Sequence, residues 1–522
     1  MRKILRTNRD SDFGRRHDFA NIDSYDDFTT ALPVANHSYF EPYIERCANG
    51  RPDALFGPDQ KLLMFALTSG TTAPARRIPV TAEFARLYRQ GWNIWGVKAL
   101  QDHPDGYLRR ILQVTSPYDE YHTESGIPCG AISGMLAHNQ KSIVQRFYAT
   151  PFDVAQIKDP AQRYYAIMRF AVAEDVGFIS TANPSTTLAL ARTAEQNAER
   201  LIRDIHDGDL DIKTELPGEL AQRLLRRLRP RPARAEQLEA ILNEHGRLLP
   251  RHYWNLAFLA NWTGGTLSLY LPRLNEYYGP VAVRDIGLLA SEGRMSIPFA
   301  DNTAGGVLDI DANFYEFVPR DDIDRLDGLD NADILGSDLL TLQACQLQQG
   351  QQYYILLTNF AGLYRYNIGD LIGVTGHVGT TPVIEFLSKG AHTSSITGEK
   401  LTENQVVDAV RAVADQLAIV METFIMAPQW DDPPRYRLYF ESTVPLDRRD
   451  LQRLARRVDQ RLILGNIEYE SKRDTGRLAG VDARQVPSGF LARRDEQRLC
   501  ENHGRYEQFK HRFLYNESID MG

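Results

Sequence analysis

The feature that most constrains this chain is an apolar run, Leu62–Ala66, that leads directly into a loop of small and hydroxyl-bearing residues. A short apolar run bounded by turn residues predicts a buried strand. The stretch that follows at 67–81, LTSGTTAPARRIPVT, has the composition of a loop that holds phosphate. It lacks the Lys-Ser/Thr ending of a Walker A loop. Pro79 also prevents a helix from starting where a Walker loop would place one.

The composition indicates a globular protein with one large core and a smaller second domain. The chain has 522 residues, of which 43% are hydrophobic, and this is ample material for both. The net charge of −8 argues against a protein built mainly to bind nucleic acid. Its four cysteines lie far apart and form no CxxC pair, which predicts free thiols in a reducing compartment.

Two observations bear on membranes and location. The amino terminus, MRKILRTNRDSDFGRRHDF, is charged and is not followed by an apolar segment, so no secretion signal is predicted. No run of about 18 apolar residues occurs, so no membrane span is predicted. We therefore expect a cytoplasmic protein that binds neither nucleic acid nor a membrane.

The first part of the chain mixes strands and helices. Apolar positions on one side predict a helix that begins near Thr81, and residues of about 185–250 are helical and strongly charged. Six arginines between 223 and 234 belong to this helical segment. They could form a nucleic-acid patch, but the acidic balance of the chain favours a solvated helix end that runs into a proline-containing linker.

From residue 264 the pattern becomes β-α-β, with strands at Thr266–Leu271 and Val281–Leu289 around a helix at Pro272–Tyr278. A further strand is predicted at Tyr353–Thr358. A polar stretch that begins at Phe386, FLSKGAHTSSITGEK, predicts a linker. Beyond it a helix is predicted from Glu403, followed by further strands and helices. We therefore expect an α/β fold of two domains. The N-terminal domain, residues 1–388, has β-sheets flanked by helices, and the C-terminal domain, residues 389–522, is a small α+β domain.

Candidate phosphate-binding groups lie at the end of the first predicted strand, where ligands of open α/β sheets collect. Hydroxyls and backbone N–H groups for anionic oxygens are offered by a cluster of five loop residues: Thr68, Ser69, Gly70, Thr71 and Thr72. The basic residues Arg76 and Arg77 follow the cluster. A plain surface turn is the alternative interpretation of the same composition.

Further candidates occur later in the chain. Glu292 stands at a predicted strand end between small polar neighbours, where a carboxylate could hold Mg²⁺. Asp370 could accept both hydroxyls of a ribose, with Tyr364 or Tyr366 as an aromatic platform. Lys400 follows the predicted linker. Considered alone, however, an aspartate in such a position is commonly a turn residue, and a lysine in such a position is commonly a solvated surface charge.

Other chemistries lack their signatures. The stretch GAISG at 130–134 has its serine one place too late for a GxSxG nucleophile motif. No GxGxxG follows a predicted strand. The twelve histidines form no HExxH pair, and with dispersed cysteines no structural zinc site is predicted.

Four motifs taken together resemble a known family. LTSGTTAPAR, ASEG, GLYRYNIGD and ITGEKLTE occur here in the order in which they occur in the acyl-acid amido synthetases. These are the plant auxin- and jasmonate-conjugating enzymes and their bacterial relatives, a branch of the adenylate-forming superfamily. The resemblance extends from about residue 40 to the TGRLAG and YEQFKHRF segments near the end of the chain.

The resemblance implies an ATP- and Mg²⁺-dependent ligase with a mobile C-terminal domain. In the family, a carboxylate attacks the α-phosphorus of ATP, and an amine, usually that of an amino acid, then attacks the acyl carbon and displaces AMP. The resemblance also implies that Glu292 binds Mg²⁺ and that Lys400 approaches the α-phosphate and the acyl carboxylate. The implied nucleotide-binding residues are Thr68, Ser69, Gly70, Thr71, Thr72, Arg76, Ala290, Ser291, Tyr364, Asp370 and Lys389. The implied hinge lies around Ser388–Lys389.

The chain departs from the family pattern at three places. Many superfamily members carry a lysine after the Thr-Thr pair, and here the basic role would fall to Arg76 or Arg77. Ala290 stands where the plant enzymes have serine. Arg294 occupies a position that lines the acyl pocket in plant members, which would favour an acid with a second anionic or strongly polar group. The same arginine could instead face solvent or pair with a neighbour.

Two alternatives to an acid–amino acid ligase stay open at this point. An acyl-CoA ligase shares the adenylation step, and a catalytically inert adenylate-binding scaffold would keep the fold. Retention of Glu292, Asp370 and Lys400 together argues against the scaffold. We expect a monomer whose partners are a small carboxylic acid and an amine.

Overall fold

The computed structural model describes residues 1–68, 76–264, 271–322, 334–336, 339–389, 393–394, 396–397, 399, 401–501 and 511–519. They form two compact units of a mixed α/β protein. The first unit consists of the described residues of Met1–Ile368 and Ile372–Phe386. The second consists of those of Gly369–Leu371, Leu387–Gly504 and Phe509–Gly522.

The described helices and strands alternate along the chain. The helices are α1 (Arg2–Asn8), α2 (Asp12–Arg16), α3 (Tyr25–Ala31), α4 (His37–Ala48), α5 (Ala82–Asp102), α6 (Ile132–His138), α7 (Ser142–Gln145), α8 (Pro160–Ala171), α9 (Pro184–Gln196), α10 (Ala198–Asp207), α11 (Gly218–Leu225), α12 (Pro232–His245), α13 (Pro250–Tyr253), α14 (Leu271–Tyr278), α15 (Glu403–Leu417), α16 (Arg448–Gly465), α17 (Ile467–Asp474) and α18 (Phe490–Glu501). The strands are β1 (Val34–Ala35), β2 (Leu62–Leu67), β3 (Arg77–Thr81), β4 (Arg110–Gln113), β5 (Tyr121–His122), β6 (Pro128–Gly130), β7 (Val176–Ser180), β8 (Phe258–Ala260), β9 (Val283–Arg284), β10 (Leu289–Ala290), β11 (Gly293–Arg294), β12 (Ser296–Ile297), β13 (Gly306–Leu308), β14 (Phe314–Pro319), β15 (Ile334–Gly336), β16 (Gln352–Thr358), β17 (Tyr366–Val378), β18 (Thr381–Lys389), β19 (Thr393–Ser394), β20 (Leu401–Thr402), β21 (Thr423–Gln429), β22 (Arg435–Glu441) and β23 (Asp482–Val486).

A parallel sheet with the order β4-β7-β8-β9 anchors the helical part of the first unit. Every residue of β7, VGFIS, is buried, as is typical of a parallel strand covered on both faces. Apolar side chains of this sheet share one core with helices α8 to α14. The helical character predicted for about 185–250 is confirmed by α9 to α12.

The arginine cluster of this helical part makes contacts within the protein. Arg223 and Arg227 both lie beside Asp153, and Arg231 pairs with Glu174. These ion pairs give several of the arginines a role in the fold that does not require a nucleic-acid partner.

The apolar run that opens the sequence analysis forms β2, as predicted. It pairs antiparallel with β3 across the loop and parallel with β6. Pro79 lies inside β3, so a strand and not a helix follows the loop. The predicted helix start is also confirmed, because the Thr81 hydroxyl accepts a hydrogen bond from Phe84 N at 3.2 Å at the beginning of α5.

A larger sheet completes the first unit. Its path runs β12-β13-β18-β17-β1-β15, and β16 pairs with both β17 and β14. The strand predicted at Tyr353–Thr358 is confirmed by β16, whose antiparallel register with β14 extends from Tyr353 to Thr358. This sheet shares a second hydrophobic core with β2, α4 and α5.

The predicted β-α-β pattern is correct in its helix, α14, but not in its second strand. Residues 266–270 of the first predicted strand lie outside the described residues, and Leu271 begins α14. The prediction of a continuous strand at Val281–Leu289 is wrong. Gly287 has a φ of +92° beside the Ser296 carbonyl, and its N–H donates to Asp285 Oδ1 at 2.7 Å, so the chain turns there.

The second unit is an α+β arrangement. β22 pairs antiparallel with β21 and parallel with β23, and α16 contacts both α15 and β23. The predicted helix from Glu403 is confirmed by α15, which Thr402 caps through its hydroxyl. The linker predicted from Phe386 is wrong for its first four residues, which continue β18 to Lys389.

Two further findings concern the described residues alone. No described helix combines the length and the apolar character needed to cross a membrane. Cys47, Cys129 and Cys345 are free thiols, as predicted, and burial raises the pKa of Cys47 to about 12. A thiol with that pKa stays protonated, and therefore unreactive, near neutral pH.

Candidate active site

The loop after β2 is the connection of a β-hairpin. Leu67 and Arg77 are paired at its base. Beyond them, Thr68 N donates to the Arg76 carbonyl at 3.0 Å, and Arg76 N donates to Thr68 Oγ1 at 3.1 Å. These two hydrogen bonds close the hairpin below the loop and hold its ends together. The predicted phosphate ligands Ser69, Gly70, Thr71 and Thr72 lie outside the described residues.

The two basic residues after the loop have different surroundings. Arg76 is exposed at the base of the loop. Arg77 forms an ion pair with Glu45 of α4 and is partly buried. The basic role that the sequence leaves open between them is therefore better suited to Arg76, whose guanidinium is not engaged by a carboxylate in the described part of the chain.

A second hairpin brings Glu292 to the same place. β10 and β11 are antiparallel, with Ala290 opposite Gly293, so Ser291 and Glu292 form the tip. The Ser291 hydroxyl donates to the Leu67 carbonyl at 3.1 Å. This bond joins the tip to the last residue of β2, immediately before Thr68. Two motifs that are 224 positions apart in sequence are thus neighbours in the first unit.

Glu292 is held from two directions. The Asn359 amide donates to the Glu292 carbonyl at 2.7 Å, and the Tyr366 hydroxyl lies 3.5 Å from Glu292 Oε1. The Glu292 side chain is buried, with 6% of its surface exposed. No group of three or more His, Cys, Asp or Glu side chains able to hold a metal ion occurs among the described residues. A single carboxylate still fits Mg²⁺ that arrives with a nucleotide, because phosphate and water oxygens supply most of its ligands.

Tyr364 does not join this group. Its ring stacks on Phe13 at 5.1 Å, meets Phe19 edge-on at 4.9 Å, and is fully buried. Its hydroxyl accepts a hydrogen bond from the Asn8 amide at 2.9 Å. This packing does not support the expected contact between Tyr364 and a nucleotide. Of the two tyrosines considered from the sequence, Tyr366 is the one beside Glu292.

Arg365, between these tyrosines, is a residue that the sequence analysis missed. It has a φ of +44°, in the left-handed region that non-glycine residues rarely occupy. Its Nε donates to both oxygens of Glu316 at 3.1 and 3.2 Å, and its Nη1 donates to the carbonyls of Thr29 and Leu32. Both charged side chains are completely buried. The pair fixes the turn that sends Tyr364 into the core and Tyr366 toward Glu292.

Arg294 lies on β11, next to the Glu292 turn, and is buried. Its Nη2 donates to the Ile286 carbonyl at 2.9 Å, and its guanidinium lies 4.7 Å from the centre of the Trp92 ring. Among the residues that the structure describes, its Nε and Nη1 have no hydrogen-bond partner, and neither does Asp309 Oδ2. A side chain at Gly91 would overlap both Arg294 and Asp309, so α5 can approach them only with glycine there.

Burial dominates the electrostatics around Arg294. It lowers the pKa of the guanidinium to about 10, against the stabilising negative charges of Asp309 and Asp285. Burial also raises the pKa of Asp309, and it raises the pKa of Asp285 to about 6 although Thr263 and Gly287 donate hydrogen bonds to it. The structure excludes the interpretation that Arg294 faces solvent.

Two of the remaining predicted residues, Asp370 and Lys389, belong to the second unit. Asp370 is buried on β17, four positions after Tyr366, with 5% of its surface exposed. Lys389 is the last residue of β18. Lys400 lies outside the described residues, between Glu399 and Leu401, which are both fully buried.

Three family models match the chain in order. The GH3 family N-terminal domain matches residues 1–283, the central domain residues 306–389, and the C-terminal domain residues 404–519. An indole-3-acetic acid-amido synthetase GH3.10 of Arabidopsis thaliana is 24% identical, with 98% of this chain and 90% of the relative covered. A jasmonoyl-L-amino acid synthetase JAR6 of Nicotiana attenuata is 23% identical, with 94% and 85% covered.

Solved structures agree with this assignment at the level of the fold. The AtGH3.15 acyl acid amido synthetase in complex with 2,4-DB superposes with a TM-score of 0.84 at 18% identity, covering 98% of this chain and 90% of that one. The family resemblance read from four short motifs is therefore confirmed across the chain. The protein belongs to the GH3 family.

Proposed function

We propose that this protein is an ATP-dependent ligase that joins a carboxylic acid to an amine, in particular the amine of an amino acid. The observation that carries the proposal is the hydrogen bond from the Ser291 hydroxyl to the Leu67 carbonyl. It brings the buried carboxylate of Glu292 to the end of the strand that leads into the hydroxyl-rich loop. The amido synthetase relatives and the family membership support the same reaction class.

The proposed reaction has two steps. An oxygen of the substrate carboxylate attacks the α-phosphorus of ATP, the bond between the α-phosphorus and the bridging oxygen breaks, and pyrophosphate leaves. The amine nitrogen then attacks the acyl carbon of the adenylate, the C–N bond forms, AMP leaves, and the nitrogen loses a proton. Both steps concentrate negative charge, so the site must supply fixed positive and hydrogen-bonding groups.

The first unit offers such groups around the loop. The closed hairpin base at Thr68 and Arg76 would hold the connecting residues Ser69, Gly70, Thr71 and Thr72 so that their N–H and hydroxyl groups meet the phosphates. Glu292 would hold Mg²⁺, which when bound neutralises phosphate charge. Ala290 and Ser291 would border the nucleotide through the same turn.

The remaining roles are carried over from the motifs. Asp370 would bind the ribose, and Lys400 would approach the α-phosphate and the acyl carboxylate. Lys389 would lie near the nucleotide and, with Ser388, at a hinge between an N-terminal domain of residues 1–388 and a mobile C-terminal domain. We propose that the protein acts as a cytoplasmic monomer, in keeping with the sequence.

Arg294 suggests which acids the enzyme accepts. Nε and Nη1 of Arg294 have no hydrogen-bond partner in the described part of the chain, and a polar or anionic group on a bound acid would supply acceptors for them. The preferred acid is therefore one with a polar or anionic group besides the reacting carboxylate. Apolar aromatic acids would leave Nε and Nη1 of Arg294 unsatisfied.

A pyrophosphate-release screen tests the proposal. Purified protein is given ATP, Mg²⁺ and a panel of acids that includes indole-3-acetate, jasmonate, benzoate and 4-hydroxybenzoate, each with and without amino acids. We expect acid-dependent pyrophosphate release and an amide product that requires both acid and amino acid. Acyl-CoA formed on addition of coenzyme A, without amide in the parallel reactions, would assign thioester formation instead. Absence of acid-dependent pyrophosphate across a broad panel would overturn the proposal.

A further inference from the structure

The residue before Lys400 is a buried carboxylate with an unusual number of donors. Glu399 is completely buried in the second unit. Its Oε1 accepts a hydrogen bond from Ile396 N at 2.8 Å and another from the Tyr436 hydroxyl. Its Oε2 accepts from both the backbone N and the hydroxyl of Thr397, each at 2.8 Å. Four donors therefore satisfy a carboxylate that has no access to water.

These bonds tie a short loop to a strand that is remote in sequence. Tyr436 lies on β22, 37 positions away, and its hydroxyl oxygen lies 3.0 Å from Ser394 Oγ, whose hydroxyl can donate to it. Burial raises the pKa of Tyr436, so the hydroxyl keeps its proton and remains a donor. Ile396, Thr397 and Glu399 are thus connected to the sheet of the second unit through one phenol.

The main chain of Glu399 is fixed as well. The Asn466 amide donates to the Glu399 carbonyl at 3.1 Å and to Gln405 Oε1 at 3.1 Å. Asn466 is itself held, because its Oδ1 accepts from Tyr469 N at the start of α17. The carbonyl that Asn466 holds belongs to the peptide bond leading into Lys400. On the other side of Lys400, Leu401 is fully buried and pairs with Ser394.

We propose that Glu399, Tyr436 and Asn466 are positioning residues for Lys400. They fix Glu399 and its carbonyl, and therefore the peptide bond that leads into the lysine. The inference rests on the proposed function, which gives Lys400 its role in adenylation. A charge that must meet a developing negative charge acts best when it is held in place beforehand, and a displacement of about 1 Å costs on the order of a hundredfold in rate.

The decisive variant is Tyr436→Phe, which removes the phenol hydroxyl and keeps the ring. We expect its adenylation kcat to fall by about tenfold to a hundredfold with little change in KM for ATP. The rate of amide formation from a synthetic acyl-adenylate and an amino acid should change less than twofold, because that step follows the one assigned to Lys400. Adenylation is measured with the acid of the panel above that releases most pyrophosphate. Tyr439→Phe is the matched control, since Tyr439 is a buried tyrosine of the same strand whose hydroxyl accepts from Gln429.

A double-mutant cycle separates this inference from the proposed function. In the Lys400→Ala background, Tyr436→Phe should cause no further loss, because there is no lysine left to position. An equal loss in both backgrounds would overturn the positioning role while leaving the ligase assignment intact. Normal adenylation by Lys400→Ala alone would instead remove the assumed role of the lysine.

A measurement that needs no substrate tests the same network. Hydrogen exchange of the Ile396 and Thr397 amides should be slow in the full-length protein and at least tenfold faster in Glu399→Gln, which replaces an acceptor oxygen by an amide nitrogen. Exchange of the backbone amides in β21 and β22 should stay unchanged. Equal protection of the two amides in both proteins would contradict the inference.

Discussion

Replacing Arg365 with methionine tests whether the buried ion pair next to the site determines the stability of the first unit. The substitution keeps most of the side-chain volume but leaves the Glu316 carboxylate buried. Among the described residues, its remaining side-chain donors are the Tyr25 and Thr341 hydroxyls, at 3.0 and 2.9 Å. It also removes the hydrogen bonds to Thr29 O and Leu32 O. Breaking a buried pair in this way costs about 3–5 kcal/mol, and we expect a loss of that size.

The loss is measured by urea unfolding followed by tryptophan fluorescence, since Trp92, Trp95, Trp254 and Trp262 all lie in the first unit. Arg51→Met is the control: Arg51 and Asp53 form an exposed pair, with 60% and 50% of their side chains accessible, and such pairs contribute at most about 1 kcal/mol.

The double variant Arg365→Met/Glu316→Leu provides an internal check on the origin of the loss. It removes the orphaned charge, so it should recover most of what Arg365→Met loses. The reasoning would be refuted if Arg365→Met lowered the free energy of unfolding no more than Arg51→Met does. It would also be refuted if the double variant lost as much stability as the two single variants together.

Three further predictions concern pH, hinge motion and substrate choice. Burial raises the pKa of Asp285 to about 6, above its ordinary value near 3.9. The folded protein therefore holds this proton more tightly than the unfolded chain does. As a result, the contribution of Asp285 to the free energy of unfolding falls as pH rises from about 4 to 6. Asp285→Asn should make the free energy of urea unfolding less dependent on pH between about 4 and 6. An unaltered slope in this range would contradict the prediction. Lys389→Pro fixes φ at the proposed hinge. It should slow overall turnover more than it weakens ATP binding, which is measured by calorimetry. Unchanged rates of both half-reactions would place the hinge elsewhere. Arg294→Tyr should shift the ratio of kcat/KM toward apolar aromatic acids by about tenfold or more when acids differing by one polar group are compared, and equal ratios would show that Arg294 does not contact the acid.

Local patterns in the sequence predicted the elements around the site. The strand before the loop, the helix that begins near Thr81 and the helix from Glu403 all depend on residues close to one another in sequence, and each is confirmed. The strand expected at Val281–Leu289 failed because Gly287 turns the chain, and apolar content alone does not reveal such a turn.

Contacts between distant residues are what the sequence could not supply. The bond between Ser291 and Leu67 spans 224 positions, and the pair of Arg365 and Glu316 spans 49. The motif residues Tyr364 and Tyr366 look equivalent in sequence, yet one enters the core and the other reaches Glu292. The left-handed backbone of Arg365 separates them, and its conformation depends on partners that no local pattern identifies.

ATP–pyrophosphate exchange by Glu292→Gln is the most direct test of the claim that the joined hairpins form an adenylation site. The variant keeps the size of the side chain and removes its charge, so exchange in the presence of acid and Mg²⁺ should fall at least a hundredfold. Glu239→Gln is the matched control, because Glu239 is an exposed glutamate on α12 of the same unit; it should exchange at the rate of the unaltered protein. Exchange by Glu292→Gln at the rate of Glu239→Gln would contradict the account.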